Sequence, residues 1–184
     1  MNDRLLIFIG PPGSGKGTQS KLLCKNKEML SISTGDILRK EVTDETNIGK
    51  RVSSKMKNGQ LVSDDLINEL FYKHFELEYK KNKYGIIADG YPRTLNQAKY
   101  LDSLSKDFGI DIRVCVFLCK EEVLVKRLQL RKRQDDEIAI IIKRLKDYYN
   151  FIAPVIKYYG NKINEVDVND DPENIYNRII SFLN

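Results

Sequence analysis

One histidine, three cysteines and no apolar run of membrane-spanning length set the first limits on this chain of 184 residues. The lone imidazole, His74, falls midway along an amphipathic helical pattern, away from every motif. It reads as a surface or packing residue, which sets histidine acid–base chemistry aside. Cys24, Cys115 and Cys119 are odd in number, in a chain too long to depend on bridges, and so point to a reducing compartment. Cys115 and Cys119 lie in or beside an apolar strand-like run, where small buried thiols are the plainer reading than a metal pair. The N-terminus enters its first strand almost at once, without a long apolar leader segment. The expectation is a cytoplasmic protein that does not use a membrane. Repeats, low-complexity linkers and a domain boundary are also missing, so residues 1–184 read as one domain. The net charge of +5 is spread out, with lysines alternating with glutamates and asparagines, and no basic stretch is interleaved with aromatics. A nucleic-acid partner is therefore not expected.

What is present is an alternation of strands and helices. "RLLIFI" at 4–9, "YGIIADG" at 84–90 and "IRVCVFL" at 112–118 are short continuous apolar runs, and "INEVDV" at 163–168 is a weaker one. Continuous rather than alternating apolarity predicts a parallel sheet covered on both faces. Helical patterns lie between them. "SDDLINELFYKHFELEYKK" opens on a Ser/Asp cap, "TLNQAKYLDSLSKDF" on a T-x-x-Q capping box, and "DPENIYNRIISFL" places Pro172 in a first turn. The fold class is α/β, a parallel sheet flanked by helices, with a nucleotide site expected at the carboxyl ends of its strands.

The first strand runs into "GPPGSGKGTQ", a glycine-rich loop that opens a helix. Gly10, Gly13, Gly15 and Gly17 let backbone N–H groups wrap a phosphate chain at a helix N-terminus, and Lys16 adds a charge. The general phosphate loop places Ser or Thr directly after the lysine, whereas here Gly17 intervenes before Thr18. A GTPase switch would need that hydroxyl and an N-K-x-D guanine-reading motif, and the sequence has neither.

Five fragments in order resemble the adenylate kinases and their nucleoside monophosphate kinase relatives: "GPPGSGKGTQ", "ISTGDILR", "GQLVSDDLI", "DGYPRTLNQA", and "RLQLR" with "RQDD". The resemblance spans nearly the whole chain. It implies reversible transfer of the terminal phosphoryl group of ATP to AMP, giving two ADP, by a monomer whose partners are these nucleotides. It also accounts for Gly17, since in that family Mg2+ is held mainly by the ATP phosphates and water. The same resemblance implies a fold with an inserted acceptor-binding helical segment at 33–62 and a very short lid at 130–136.

Residue roles follow from the same resemblance. Gly13, Ser14, Gly15, Lys16, Gly17 and Thr18 correspond to the ATP phosphate loop, with Arg127 and Arg131 facing ATP and Asp170 near its base. Asp89, at a strand end, would reach Mg2+ through water. The AMP pocket corresponds to Thr34, Arg39, Gln60, Leu61, Val62, Gly90, Tyr91, Pro92, Arg93 and Gln97, with Arg133 and Arg144 near the transferred group. Lys16, Arg93, Arg127, Arg133 and Arg144 form the catalytic set, because phosphoryl transfer needs cations that grip phosphate oxygens and needs no general base. Gln97 favours AMP, since an amide can pair with both a donor and an acceptor on the adenine edge. The uridylate and cytidylate relatives commonly carry asparagine there, and a UMP/CMP kinase is the alternative. Gln97 also ends the capping box and could serve the helix start alone.

The chain departs from the family between Arg131 and Asp135. Only Lys132 separates Arg131 from Arg133, where relatives carry a glycine-containing loop or a small lid domain. The four-cysteine cluster of some long-lid members is absent, so no structural zinc is expected.

Overall fold

The computed structural model describes residues 4–80, 84–131 and 137–183, with Arg131 described by its backbone alone. In chain order the elements are β1 (Arg4–Ile9), α1 (Lys16–Lys27), β2 (Leu30–Ser33), α2 (Thr34–Thr43), α3 (Asn47–Lys57) and α4 (Asp64–Tyr79). They continue with β3 (Ile86–Asp89), α5 (Leu95–Asp107), β4 (Asp111–Leu118), α6 (Glu121–Arg131), α7 (Ile138–Tyr159), β5 (Ile163–Asp167) and α8 (Pro172–Leu183). The strands form one parallel sheet in the order β2-β3-β1-β4-β5.

Both faces of the sheet are covered, which explains why the strands read as unbroken apolar runs. In β1, Leu5, Ile7 and Ile9 face one way and pack with Phe71 and Phe75 of α4, Leu101 of α5 and Ile152 and Val155 of α7. Leu6 and Phe8 face the other way, against Leu23 of α1 and Ile175 and Ile179 of α8. A small third cluster joins Leu124 and Leu128 of α6 to Ile141 and Leu145 of α7. Cys115 is buried in the second layer, where desolvation pushes its thiol up to about 12. All three cysteines are free thiols. No described helix is long and apolar enough to cross a membrane.

The strand missing from the sequence reading is β2, "LSIS". Only Ile32 in it is buried, and as an edge strand it pairs with β3 alone, so two serines are tolerated and the apolar signal is lost. Residues 33–62 contain α2 and α3, capped by the side chains of Ser33 and Thr46, which accept from Asp36 N and Gly49 N. The capping box of α5 forms by half. Thr94 Oγ1 accepts from Gln97 N at 3.2 Å, but the Gln97 amide points elsewhere. The expected Ser/Asp cap of α4 is not made by Ser63, whose side chain has no capping hydrogen bond. Pro172 opens α8 as the sequence predicts. The greater part of the expected short lid, residues 132–136, lies outside the described residues.

Candidate active site

The site is assembled where β1, β2 and β3 end together. Parallel register sets Asp89, the last residue of β3, beside Phe8 of β1 and Ser33 of β2. The chain leaves β1 through the glycine loop, and Gly13 and Gly15 take φ of 85° and 93°, values that strain any side chain. A Cβ at Gly13 would also lie 2.9 Å from the Leu124 carbonyl oxygen, so the loop is seated against α6. Gly15 is the N-cap of α1, where no side chain caps the helix and no acidic residue occupies the first turn. Its amides and the helix dipole therefore present a positive end to an anion. Lys16 Nζ lies back over the loop, donating to Gly10 O at 2.7 Å and Pro11 O at 3.0 Å.

Asp89 faces this positive loop. Burial pushes its carboxyl above the ordinary range, Lys16, Arg93 and Arg39 pull it back, and Asp36 adds to the rise. Gly17 leaves the approach open, since a Cβ there would stand 3.5 Å from Asp89 Oδ2. A partly desolvated carboxylate beside a phosphate loop fits a hydrated divalent cation that arrives on the phosphates. Among the described residues no cluster of three or more His, Cys, Asp or Glu could hold a metal by itself. The raised value has a sign that can be tested. The folded protein binds more protons than the unfolded chain between the ordinary carboxylate value and the raised one, so stability falls as pH rises through that window. Asp89→Asn is expected to melt higher than the parent at neutral pH and to lose that advantage at acid pH below both values. Melting curves at the two pH values check it; a lower melting temperature at neutral pH would contradict the burial cost.

Across from the loop, Gly90 O accepts from Thr34 Oγ1 at 3.0 Å and from Arg93 Nε at 2.8 Å, which ties the start of α2 to the turn after β3. Arg39 is paired with Asp36 one helical turn away. Gln97 is 3% exposed, its Oε1 accepting from Arg93 N and its Nε2 donating to Asp64 Oδ1, both at 2.7 Å. Asp64 Oδ2 in turn accepts from Thr94 Oγ1 at 2.8 Å. Arg127 leans the other way and donates to Val168 O at 2.9 Å and Asp170 O at 3.4 Å.

One cleft of about 1650 Å³ runs from the glycine loop to these groups. Gly13 to Thr18, Thr34, Arg39, Gln60 to Val62, Asp89, Gly90, Pro92, Arg93, Gln97, Arg127, Arg144 and Asp170 all border it. Tyr91 does not. Its side chain is fully buried, stacked on Phe71 at 4.3 Å, with its hydroxyl donating to Asn68 Oδ1 at 2.7 Å. Only its backbone belongs to the turn facing the cleft. Arg133 and the side chain of Arg131 lie outside the described residues. His74, which the sequence reading set away from every motif, borders the cleft from α4. Sequence reasoning missed Asp64, which it took for part of a helix cap; the nearest signal was its place at the opening of an amphipathic helix.

A family model described as adenylate kinase matches residues 8–164. The chain belongs to the adenylate kinase family. Curated adenylate kinases similar to it include one from Prochlorococcus marinus (strain MIT 9515), 43% identical over 157 residues, or 85% of this chain and 84% of the relative. Adenylate kinase 1 of Nostoc sp. (strain PCC 7120) is 39% identical over 167 residues, covering 90% of each chain. The span matched by the adenylate kinase model takes in the glycine loop, Asp89, the Gly90–Arg93 turn, Gln97 and Arg144, and ends before Asp170.

Proposed function

We infer that this chain catalyses reversible transfer of the terminal phosphoryl group of ATP to AMP, producing two ADP. The observation that carries the reading is the single cleft in which a phosphate loop with Lys16 faces Asp89 and the Thr34–Gly90–Arg93 cluster, with Gln97 beyond them. In the forward direction an AMP phosphate oxygen bonds to the γ-phosphorus of ATP as the bond from that phosphorus to the β–γ bridging oxygen breaks, and the electron pair stays on ADP. The attacking oxygen is already anionic, so no side chain has to remove a proton. The work left to the protein is positioning and charge.

The loop amides, Lys16 and Arg127 would hold the donor phosphates, Arg39 and Arg93 the acceptor phosphate, and Arg144 would lie near the transferred group. Asp89 would hold, through water, a Mg2+ that comes with ATP and supplies charge neutralisation. Arg131 and Arg133 complete the cationic set in this reading, and Asp170 sits near the donor base. The enzyme is read as a monomer with nucleotides as its partners and as cytoplasmic, and its three free thiols support the reducing compartment. The test is ADP formation from ATP with AMP, UMP, CMP or GMP as acceptor. AMP is expected to be preferred by at least ~10-fold, the discrimination a well-made pair of base-edge hydrogen bonds supplies. Preference for UMP or CMP would replace this reading with a pyrimidine monophosphate kinase.

A further inference from the structure

The amide of Gln97 is held at both ends by groups that cannot exchange roles. A carboxylate only accepts and a backbone N–H only donates, so Asp64 Oδ1 at 2.7 Å must face the amide nitrogen and Arg93 N at 2.7 Å must face the amide oxygen. Turning the amide over would set NH2 against N–H and a carbonyl against a carboxylate. Asp64 is itself fixed, because its second oxygen accepts from Thr94 Oγ1 at 2.8 Å. Thr94 is in turn the N-cap of α5, accepting from Gln97 N at 3.2 Å. The carboxylate reaches this position from the first turn of α4, thirty-three residues away in sequence.

We propose that Asp64 is a positioning residue that locks the Gln97 amide in one orientation and so makes the acceptor pocket select 6-amino purines over 6-oxo purines. This rests on the reading above that Gln97 faces the acceptor base. With one amide hydrogen given to Asp64 and one carbonyl lone pair to Arg93 N, the amide retains one donor on nitrogen and one acceptor on oxygen. Adenine offers the complement, a 6-amino donor beside the N1 acceptor. Hypoxanthine offers the inverse, a 6-oxo acceptor beside an N1–H donor. An unrestrained glutamine would rotate its amide and pair with either base, so Gln97 by itself confers no choice between these two purines. The choice comes from Asp64 and the Arg93 backbone together, and of these Asp64 acts through a side chain that substitution can truncate.

The experiment compares kcat/KM for AMP and IMP, with ATP as donor, in the full chain and in Asp64→Ala, Gln97→Ala and the double variant. The AMP:IMP ratio is expected to fall by ~10-fold in Asp64→Ala, the size of one base-edge discrimination. In the Gln97→Ala background the same substitution should leave the ratio unchanged within about twofold, since the two residues act as one unit. Asp64→Asn, nearly the same shape but able to donate as well as accept, should lower the ratio by a smaller factor, and it serves if the alanine variant does not fold. A residue with a purely structural role would depress both substrates alike. A wild-type ratio in a folded, active Asp64→Ala or Asp64→Asn variant would overturn the proposal, as would an equal fall with and without Gln97. If the parent protein did not phosphorylate AMP at all, the functional reading would fail instead, and the parent assay alone shows that.

Discussion

Lys16→Met is expected to lower turnover with ATP and AMP by ~10²–10³, and Arg93→Ala to do the same, the loss typical of removing one group that stabilises charge in the transition state. Neither side chain is part of the packed core. Lys16 rests on the carbonyls of Gly10 and Pro11, and Arg93 is exposed, donating to Gly90 O at 2.8 Å. Losing such contacts costs about 1 kcal/mol each, too little to unfold the chain. The far-UV spectrum should be unchanged and melting should move only slightly while kcat collapses. Lys16→Met also acts on Asp89. The Lys16 charge opposes the rise of the Asp89 carboxyl, so its loss drives that group further up. Near-normal turnover in Arg93→Ala would remove that residue from the mechanism.

The parts of the molecule that were legible in the sequence are those whose signal is local. A strand buried on both faces writes itself as "RLLIFI" or "IRVCVFL", and a loop that must approach an anion writes itself in glycines. The same holds for Pro172 at the start of α8 and for Thr94 at the cap of α5. What escaped depends on partners distant in the chain. β2 is defined by its pairing with β3 and not by its own four residues. Gln97 as a capping-box residue is a local reading that a tertiary contact displaced. Its amide is spoken for by Arg93 N and by Asp64, so the box closes through Thr94 alone. Tyr91, grouped with the acceptor turn because it sits between Gly90 and Pro92, turns its ring into the core since that turn lies directly over α4. Spacing within a motif places a backbone in a site but does not say which way each side chain points.

Gly49 is the clearest case of a residue whose importance only the packing reveals, and changing it is expected to damage the acceptor side selectively. It is buried on α3, with its N–H donating to Thr46 Oγ1 at 3.0 Å. A Cβ there would stand 1.9 Å from the carbonyl oxygen of Glu41 and 2.8 Å from the backbone nitrogen of Val42. Those are main-chain atoms of α2 and cannot rotate away, so the two helices touch backbone to backbone. Gly49→Ala would favour an isolated helix by about 1 kcal/mol, yet overpacking of a closed contact costs about 3 kcal/mol and prevails. Relief requires α3 to shift from α2, carrying Val52 out of the core and disturbing the segment that supplies Thr34, Arg39 and Gln60 to Val62 to the cleft. The glycine loop, set on β1 and α1, lies outside this contact. The expected result is a KM for AMP raised by ~10-fold or more, because displacing positioning groups by about 1 Å is costly, with the KM for ATP held within about twofold. An unchanged KM for AMP in a folded Gly49→Ala protein would show that the α2–α3 contact maintains the fold without governing the acceptor pocket.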